Sequence, residues 1–270
     1  MVGLLGIEPS LPAPKAGVLP VYDSPKSLQS YHFADFSTTG RCVPSSSLKL
    51  WYNVFMNYRD YKTFAPGNYY HIFNRGNGKN DIFLDSQDYG IFMRRLIENF
   101  FPENEIPKEQ SSLDLKYKRK SLPAGAFSLI CYCSMPNHFH LLIRQNSDVK
   151  VSKLIQKLCT GYAKYFQKKY AHTGHLFQGA FKAIHIENES YLMWLSAYIH
   201  QNPLVAGLVT NLEDWPYSSY LDYIGKRDGR LCSKDIILDK FKNPTDYKKF
   251  VEDSGELIKQ RKELKFILLD

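Results

Sequence analysis

The chain has 270 residues, 44% of them hydrophobic and 14% aromatic, enough for one sizeable domain with a packed core. A formal net charge of +8 favours polyanionic partners, and no apolar run approaches the ~18 residues that a membrane span requires. Five cysteines, an odd number, do not make a disulfide framework, and the N-terminus lacks the basic and apolar regions of a secretion signal, so the expected compartment is a reducing cytoplasm.

Residues 1–63 read as a poorly ordered leader, with Pro, Ser and Gly recurring without a sustained period. Its opening Gly6-Ile7-Glu8-Pro9-Ser10 resembles the translated antisense strand of a transfer-RNA gene, so the true start is expected further downstream. From residue 64 the signals sharpen. Residues 68–73 are β-like and end at the turn Asn74-Arg75-Gly76-Asn77-Gly78. Residues 87–100 carry Ile91, Phe92, Leu96 and Phe100 at helical spacing, and the polar, basic stretch 102–124 reads as a loop. Residues 126–133 form a second expected strand, and Pro136-Asn137 turns the chain into a third, giving an antiparallel hairpin.

That third strand holds the most informative pair, His138 and His140. Side chains two apart on a strand share a face, so two imidazoles stand together while Phe139 points into packing. Two neutral nitrogen donors need one or two more groups to hold a divalent metal. Residues 151–170 form the longest expected helix, with Val151, Leu154, Ile155, Leu158, Tyr162, Tyr165 and Phe166 on its inner stripe and Ser152 or Asp148 as its cap. Gly161 inside it marks a close approach. From Arg144 to His185 eight basic residues stand against one acid, Asp148, so the charge concentrates in the stretch after the His pair. A strand over 181–186 and a helix over 189–201, capped by Asn188 and ended by Pro203, complete a β-α-β-β-α-β-α order. That order predicts an α+β domain with a ferredoxin-like antiparallel sheet and helices packed on it. Residues 64–225 form this domain and residues 226–270 a helical C-terminal extension.

The last helix supplies what the His pair lacks. Tyr198 and Asn202 are four apart and share a helix face. The Asn oxygen suits a hard divalent ion, and the tyrosine hydroxyl, with a free pKa of ~10, becomes a nucleophile beside a metal or a general base. Tyr162, Tyr165 and Tyr170 are alternative nucleophiles, and Cys131 and Cys133 with the His pair are an alternative Cys₂His₂ zinc set. His175 and His200 read as hydrogen-bonding groups, His185 has no clear role, and Trp215 and Tyr217 pack the domain edge.

Over about residues 69–225 the chain resembles the REP-associated tyrosine transposases, single-tyrosine members of the HUH endonuclease class. The resemblance rests on Tyr70-His71-Ile72-Phe73-Asn74-Arg75-Gly76, Met135-Pro136-Asn137-His138-Phe139-His140-Leu141-Leu142-Ile143 and Gly174-His175-Leu176-Phe177-Gln178-Gly179. It continues through Tyr198-Ile199-His200-Gln201-Asn202-Pro203, Ala206-Gly207-Leu208-Val209 and Trp215-Pro216-Tyr217-Ser218-Ser219-Tyr220. It implies an HUH endonuclease fold in which His138, His140 and Asn202 hold Mg²⁺ or Mn²⁺ and Tyr198 is the nucleophile. It also implies cleavage and rejoining of single-stranded, hairpin-containing (REP-like) DNA through a 5′-phosphotyrosyl intermediate, by a nucleoid-associated monomer or homodimer. The expected DNA-contacting cations are Arg75, Arg144, Lys153, Lys157, Lys164, Lys168 and Lys182. One departure stands out: relatives usually carry a basic residue after Gln178-Gly179, where this chain has Ala180, which also leaves open a hairpin-binding protein without turnover.

Overall fold

A computed structural model describes residues 33–34, 42–43, 63–101 and 122–263. Most of the expected leader and nearly all of the 102–124 loop lie outside these residues. In chain order come β1 (Tyr69–Arg75), α1 (Ser86–Phe100), β2 (Phe127–Met135), β3 (His138–Gln145), α2 (Val151–Tyr170), β4 (Lys182–Ile186) and α3 (Glu189–Val205). Two short helices follow, α4 (Tyr220–Tyr223) and α5 (Asp235–Leu238), then the long α6 (Pro244–Glu263). Phe33–Ala34 and Cys42–Val43 pair separately. The four strands make an antiparallel sheet ordered β2-β3-β1-β4, the ferredoxin-like order expected from the sequence.

The register decides which residues share a face, because directly paired residues project to the same side. His138 pairs with Arg75 and Met135, and His140 pairs with Phe73 and Cys133. Phe73 in turn pairs with Lys182, so His71, Phe73, Arg75, His138, His140 and Lys182 share one face. Ile72, Phe139 and Leu141 share the other, and α1 and α2 cover it. There the ring of Phe139 meets Phe92 of α1 at 5.0 Å, and Phe92 meets Tyr162 of α2 at 5.3 Å. Helix α3 lies over the His face, giving three layers.

Local chemistry fixes the helix ends. Asp85 and Asp88 form a capping box at α1, a start that hydrophobic spacing alone places only one residue later. The start of α2 differs from expectation. Neither Ser152 nor Asp148 caps it; Lys150 sits at the N-cap without a side-chain bond, and the Val151 amide donates to Gln145 Oε1 at 3.1 Å. Gln145, buried at the end of β3, therefore ties the helix to the sheet, a long-range solution that local rules do not contain. Near Gly161 the approach is ordinary, since an added Cβ would lie 3.5 Å from the Arg95 side chain.

Helix α3 runs two residues past Pro203, beyond its expected end. Proline lacks the N–H that would bond to the carbonyl four residues back, here Ile199. The Asn202 side chain offsets the loss: its Nδ2 donates to Tyr198 O at 2.9 Å and to Ile199 O at 3.4 Å.

The C-terminal region is helical, as expected, and α6 packs on α3. His200 shares hydrogen bonds with Tyr247 Oη and Ser219 Oγ, both at 2.8 Å, and Gln201 Nε2 donates to Val251 O at 2.7 Å. Gly255 makes the contact possible, because a Cβ there would come 2.9 Å from Gln201 Nε2. Complete burial, aided by the nearby Arg227 charge, lowers the His200 pKa to about 3, and burial does the same for His71. On acidification the unfolded chain therefore binds protons first, near the ordinary value of 6.5. Stability from these neutral rings is complete above pH ~6.5 and falls by about 2 kcal/mol per histidine by pH 5. Urea titrations should show the unfolding midpoint dropping between pH 7 and pH 5.

Candidate active site

Each expected site residue has a defined place. His138 opens β3 and His140 follows on the same face, their ring centroids 5.0 Å apart and their planes nearly perpendicular. Phe139 points away, toward Phe92 and Phe177. Helix α3 brings Tyr198 over the pair: its ring lies 5.8 Å from that of His140 and 6.4 Å from that of His71, edge-on to both. Trp194, one turn earlier, stacks on Tyr198 at 5.6 Å. His138, His140, Tyr198 and Asn202 are all buried, at 8%, 1%, 5% and 3% exposure, so the chemistry they support is shielded from bulk water.

The donor atoms suit a hard divalent ion. Asn137 holds His138 from the Pro136-Asn137 turn: its Nδ2 donates to Lys79 O, which orients its Oδ1 toward His138 Nδ1 at 2.6 Å. His138 Nδ1 then carries the proton and Nε2 the lone pair, the arrangement a metal-ligating histidine needs. Asn202 spends its Nδ2 on helix carbonyls, so its oxygen is the end left for a ligand. His140 Nδ1 lies 2.9 Å from Nε2 of His71, with the rings stacked at 25°. In sequence Asn137 is legible as a turn residue only, and His71 carries no signal of a role. Both lie inside the quoted motifs, but only tertiary contacts reveal what their polar atoms touch.

The cysteines do not join this set. Cys133 faces His140 across the sheet, yet its thiol donates to Met135 Sδ at 3.7 Å, and burial pushes the Cys131 and Cys133 pKa values well up. Among the described residues no three or more His, Cys, Asp or Glu side chains are arranged to hold a metal ion. A cation at the His pair therefore depends on an amide donor such as Asn202.

The alternative tyrosines lie on α2, across the sheet from the His pair. Tyr162 donates to Ile82 O, and Tyr165 and Tyr170 both donate to Asp88 at 2.8 Å. Burial and the Asp88 carboxylate raise all three pKa values, Tyr170 to about 12, so none is poised to ionise.

The cations divide between the two faces. Arg75, beside His138, and Lys182, two strands from His140, lie on the His face. Arg144 shares that face but stands over Tyr69 at 5.7 Å, about 20 Å along β3 from His138. Lys153, Lys157, Lys164 and Lys168 fall within about 60° of one another around α2, a single basic stripe in the opposite layer. Next to the His pair in sequence, this charge is thus a sheet's thickness away in space. Lys169 leaves the stripe altogether, bonded to Asp85 at 2.6 Å and Asp88 at 2.8 Å. At the N-terminal end of α2 a cleft of about 880 Å³ is lined by Asn74, Lys150, Lys153, Phe177, Ala180 and Phe181, which places Ala180 at a charged and aromatic surface.

Two further expectations find support, those for His200 and for Trp215 with Tyr217. His200 is a hydrogen-bonding group, His185 pairs with Glu187 at 3.1 Å, and Trp215 and Tyr217 seal the edge of β2. No helix among the described residues is long and apolar enough to cross a membrane.

Comparison with known proteins meets the resemblance read from the motifs. Residues 114–202, which include His138, His140, Tyr198 and Asn202, match the family described as "Transposase IS200 like". A Haemophilus influenzae protein bearing the name of a REP-associated tyrosine transposase is 30% identical over 35% of this chain. The chain spans 59% of that relative's length. A solved REP-associated tyrosine transposase bound to a REP hairpin is similar over 62% of this chain and 86% of its own, at 16% identity and a TM-score of 0.45.

Proposed function

We propose that this chain is a tyrosine transposase of the IS200-like type, which cuts and rejoins single-stranded, hairpin-containing DNA through a covalent link to Tyr198. The observation that carries the reading is the seating of Tyr198 against His140, 5.8 Å between ring centroids, with both residues inside the stretch matched to the transposase family. The name of the Haemophilus influenzae relative points the same way.

In this reading His138 Nε2, His140 Nε2 and Asn202 Oδ1 hold Mg²⁺ or Mn²⁺. When bound, the cation supplies Lewis-acid polarisation of the scissile phosphate and neutralises charge in the transition state. Tyr198 Oη bonds to phosphorus and gives its proton to solvent water, the P–O3′ bond breaks, and the leaving O3′ takes a proton back from solvent. The products are a 5′-phosphotyrosyl link and a strand ending in a 3′-hydroxyl. Attack by a 3′-hydroxyl on that link reverses the step, so strands rejoin without an external energy source. Arg75 and Lys182, on the same face, hold the phosphates next to the reacting one, while the α2 stripe grips DNA that passes around the sheet edge.

The experiment mixes purified protein with single-stranded hairpin DNA and Mn²⁺ and resolves the products under denaturing conditions. A protein–DNA adduct that survives denaturation, with a released 3′-hydroxyl strand, supports the reading; intact DNA and no adduct overturn it.

Ala180 makes a separate expectation. An arginine there adds a cation at the cleft formed by Lys150, Lys153, Phe177 and Phe181. The Ala180→Arg variant should bind single-stranded DNA several-fold more tightly and steepen the dependence of log affinity on log salt by about 0.7 for one more phosphate contact. Fluorescence anisotropy across a salt series measures both.

A further inference from the structure

His138 has a partner that fixes its proton, and a second buried imidazole, His71, stands against His140. We infer that His71 is the positioning residue of His140: its Nε2 accepts the His140 Nδ1 proton and so keeps the His140 Nε2 lone pair turned toward the cation site. The inference deepens the proposed function and rests on its metal site. Three observations lead to it. His71 Nε2 and His140 Nδ1 are 2.9 Å apart, so one of the two nitrogens carries the shared hydrogen. The His71 ring is wholly buried on β1, beside Phe73 at 4.9 Å, where it has no freedom to seek another partner. Its other nitrogen, Nδ1, is buried with no hydrogen-bond partner.

The shared hydrogen, which either ring can carry, makes the pair a two-state element. In one arrangement His140 donates through Nδ1 and its Nε2 can ligate; His71 then carries its hydrogen on the unmatched Nδ1. In the other, His71 donates through Nε2, which forces the His140 hydrogen onto Nε2 and blocks ligation there. His71 Nδ1 is unmatched in both, as an N–H in the first and as a lone pair in the second, so it does not by itself settle the choice. A cation at His140 settles it, and His71 is the group that makes the ligating form available. Asn137 does the same for His138 without ambiguity, because its amide is oriented by Lys79 O.

The test measures Mn²⁺ affinity by electron paramagnetic resonance for the full chain and for His71→Gln, His71→Leu and His138→Ala, with circular dichroism to verify folding. Glutamine places an oxygen acceptor near the Nε2 position and should leave affinity little changed. Leucine removes the acceptor and should weaken Mn²⁺ binding about ten- to a hundredfold. A folded His71→Leu protein with undiminished affinity overturns the inference while the metal site stands. Mn²⁺ binding absent from the unaltered chain, or unaffected by His138→Ala, overturns the metal site itself. Nitrogen-15 NMR of the unaltered chain with Mg²⁺ gives a second readout: the inference predicts hydrogen on His140 Nδ1 and on His71 Nδ1, and hydrogen on His71 Nε2 contradicts it.

Discussion

Replacing Tyr198 with phenylalanine should abolish the covalent protein–DNA adduct and slow strand cleavage by at least about 10³-fold, the scale seen when a nucleophile is deleted from a preorganised site. The substitution removes one hydroxyl and keeps the ring that stacks on Trp194 and meets His140 edge-on. Hairpin affinity should stay near that of the unaltered chain and circular dichroism should show the variant folded, so that lost cleavage reports chemistry rather than folding. The same exchange at Tyr162 should behave oppositely. Tyr162 is buried against Phe83 and Phe92 and donates to Ile82 O, so Tyr162→Phe should destabilise the fold by about 1 kcal/mol and leave adduct formation intact. Denaturing gels and urea titrations of the two variants separate a nucleophile from a structural tyrosine.

The second large effect is expected at the His pair. His138→Ala and His140→Ala should each weaken Mn²⁺ binding by at least about 100-fold, because a ligand counts for more than the groups that orient it. Cleavage should fall with it. Hairpin DNA affinity measured without divalent metal should change little, since Lys153, Lys157, Lys164 and Lys168 lie on α2 across the sheet. A parallel loss of DNA affinity would mean that the two faces do not act separately. His140→Ala should also lose some stability, as its ring packs against His71 and Phe73; His138, at the start of β3, is the cleaner probe.

Much of this arrangement was legible in the sequence because it is local. Alternation after Asn137 put His138 and His140 on one face and Phe139 on the other, which the strand register bears out. Helical spacing joined Tyr198 to Asn202, and the succession of elements led to the sheet order. Periodicity, however, says which side of an element is buried and not which layer it enters. The lysines of α2 follow the His pair closely in sequence yet sit across the sheet from it, and Lys169 is neutralised by Asp85 and Asp88 from another helix. Partners far apart along the chain were hidden for the same reason: Gln145 at the start of α2, His71 beside His140, and Tyr247 of α6 against His200 of α3. Asn202 carries a further lesson. The residue proposed as a ligand also satisfies the carbonyl that Pro203 leaves open, so its amide nitrogen is already committed to the helix.

The most direct test of the central claim is the identity of the residue that becomes joined to DNA. The adduct formed with single-stranded hairpin DNA and Mn²⁺ is digested with nuclease and protease, and the modified peptide is located by mass spectrometry. The account predicts a nucleotide phosphate on Tyr198 and on no other tyrosine. A phosphate on Tyr162, Tyr165 or Tyr170, or the absence of any modified tyrosine, would contradict it.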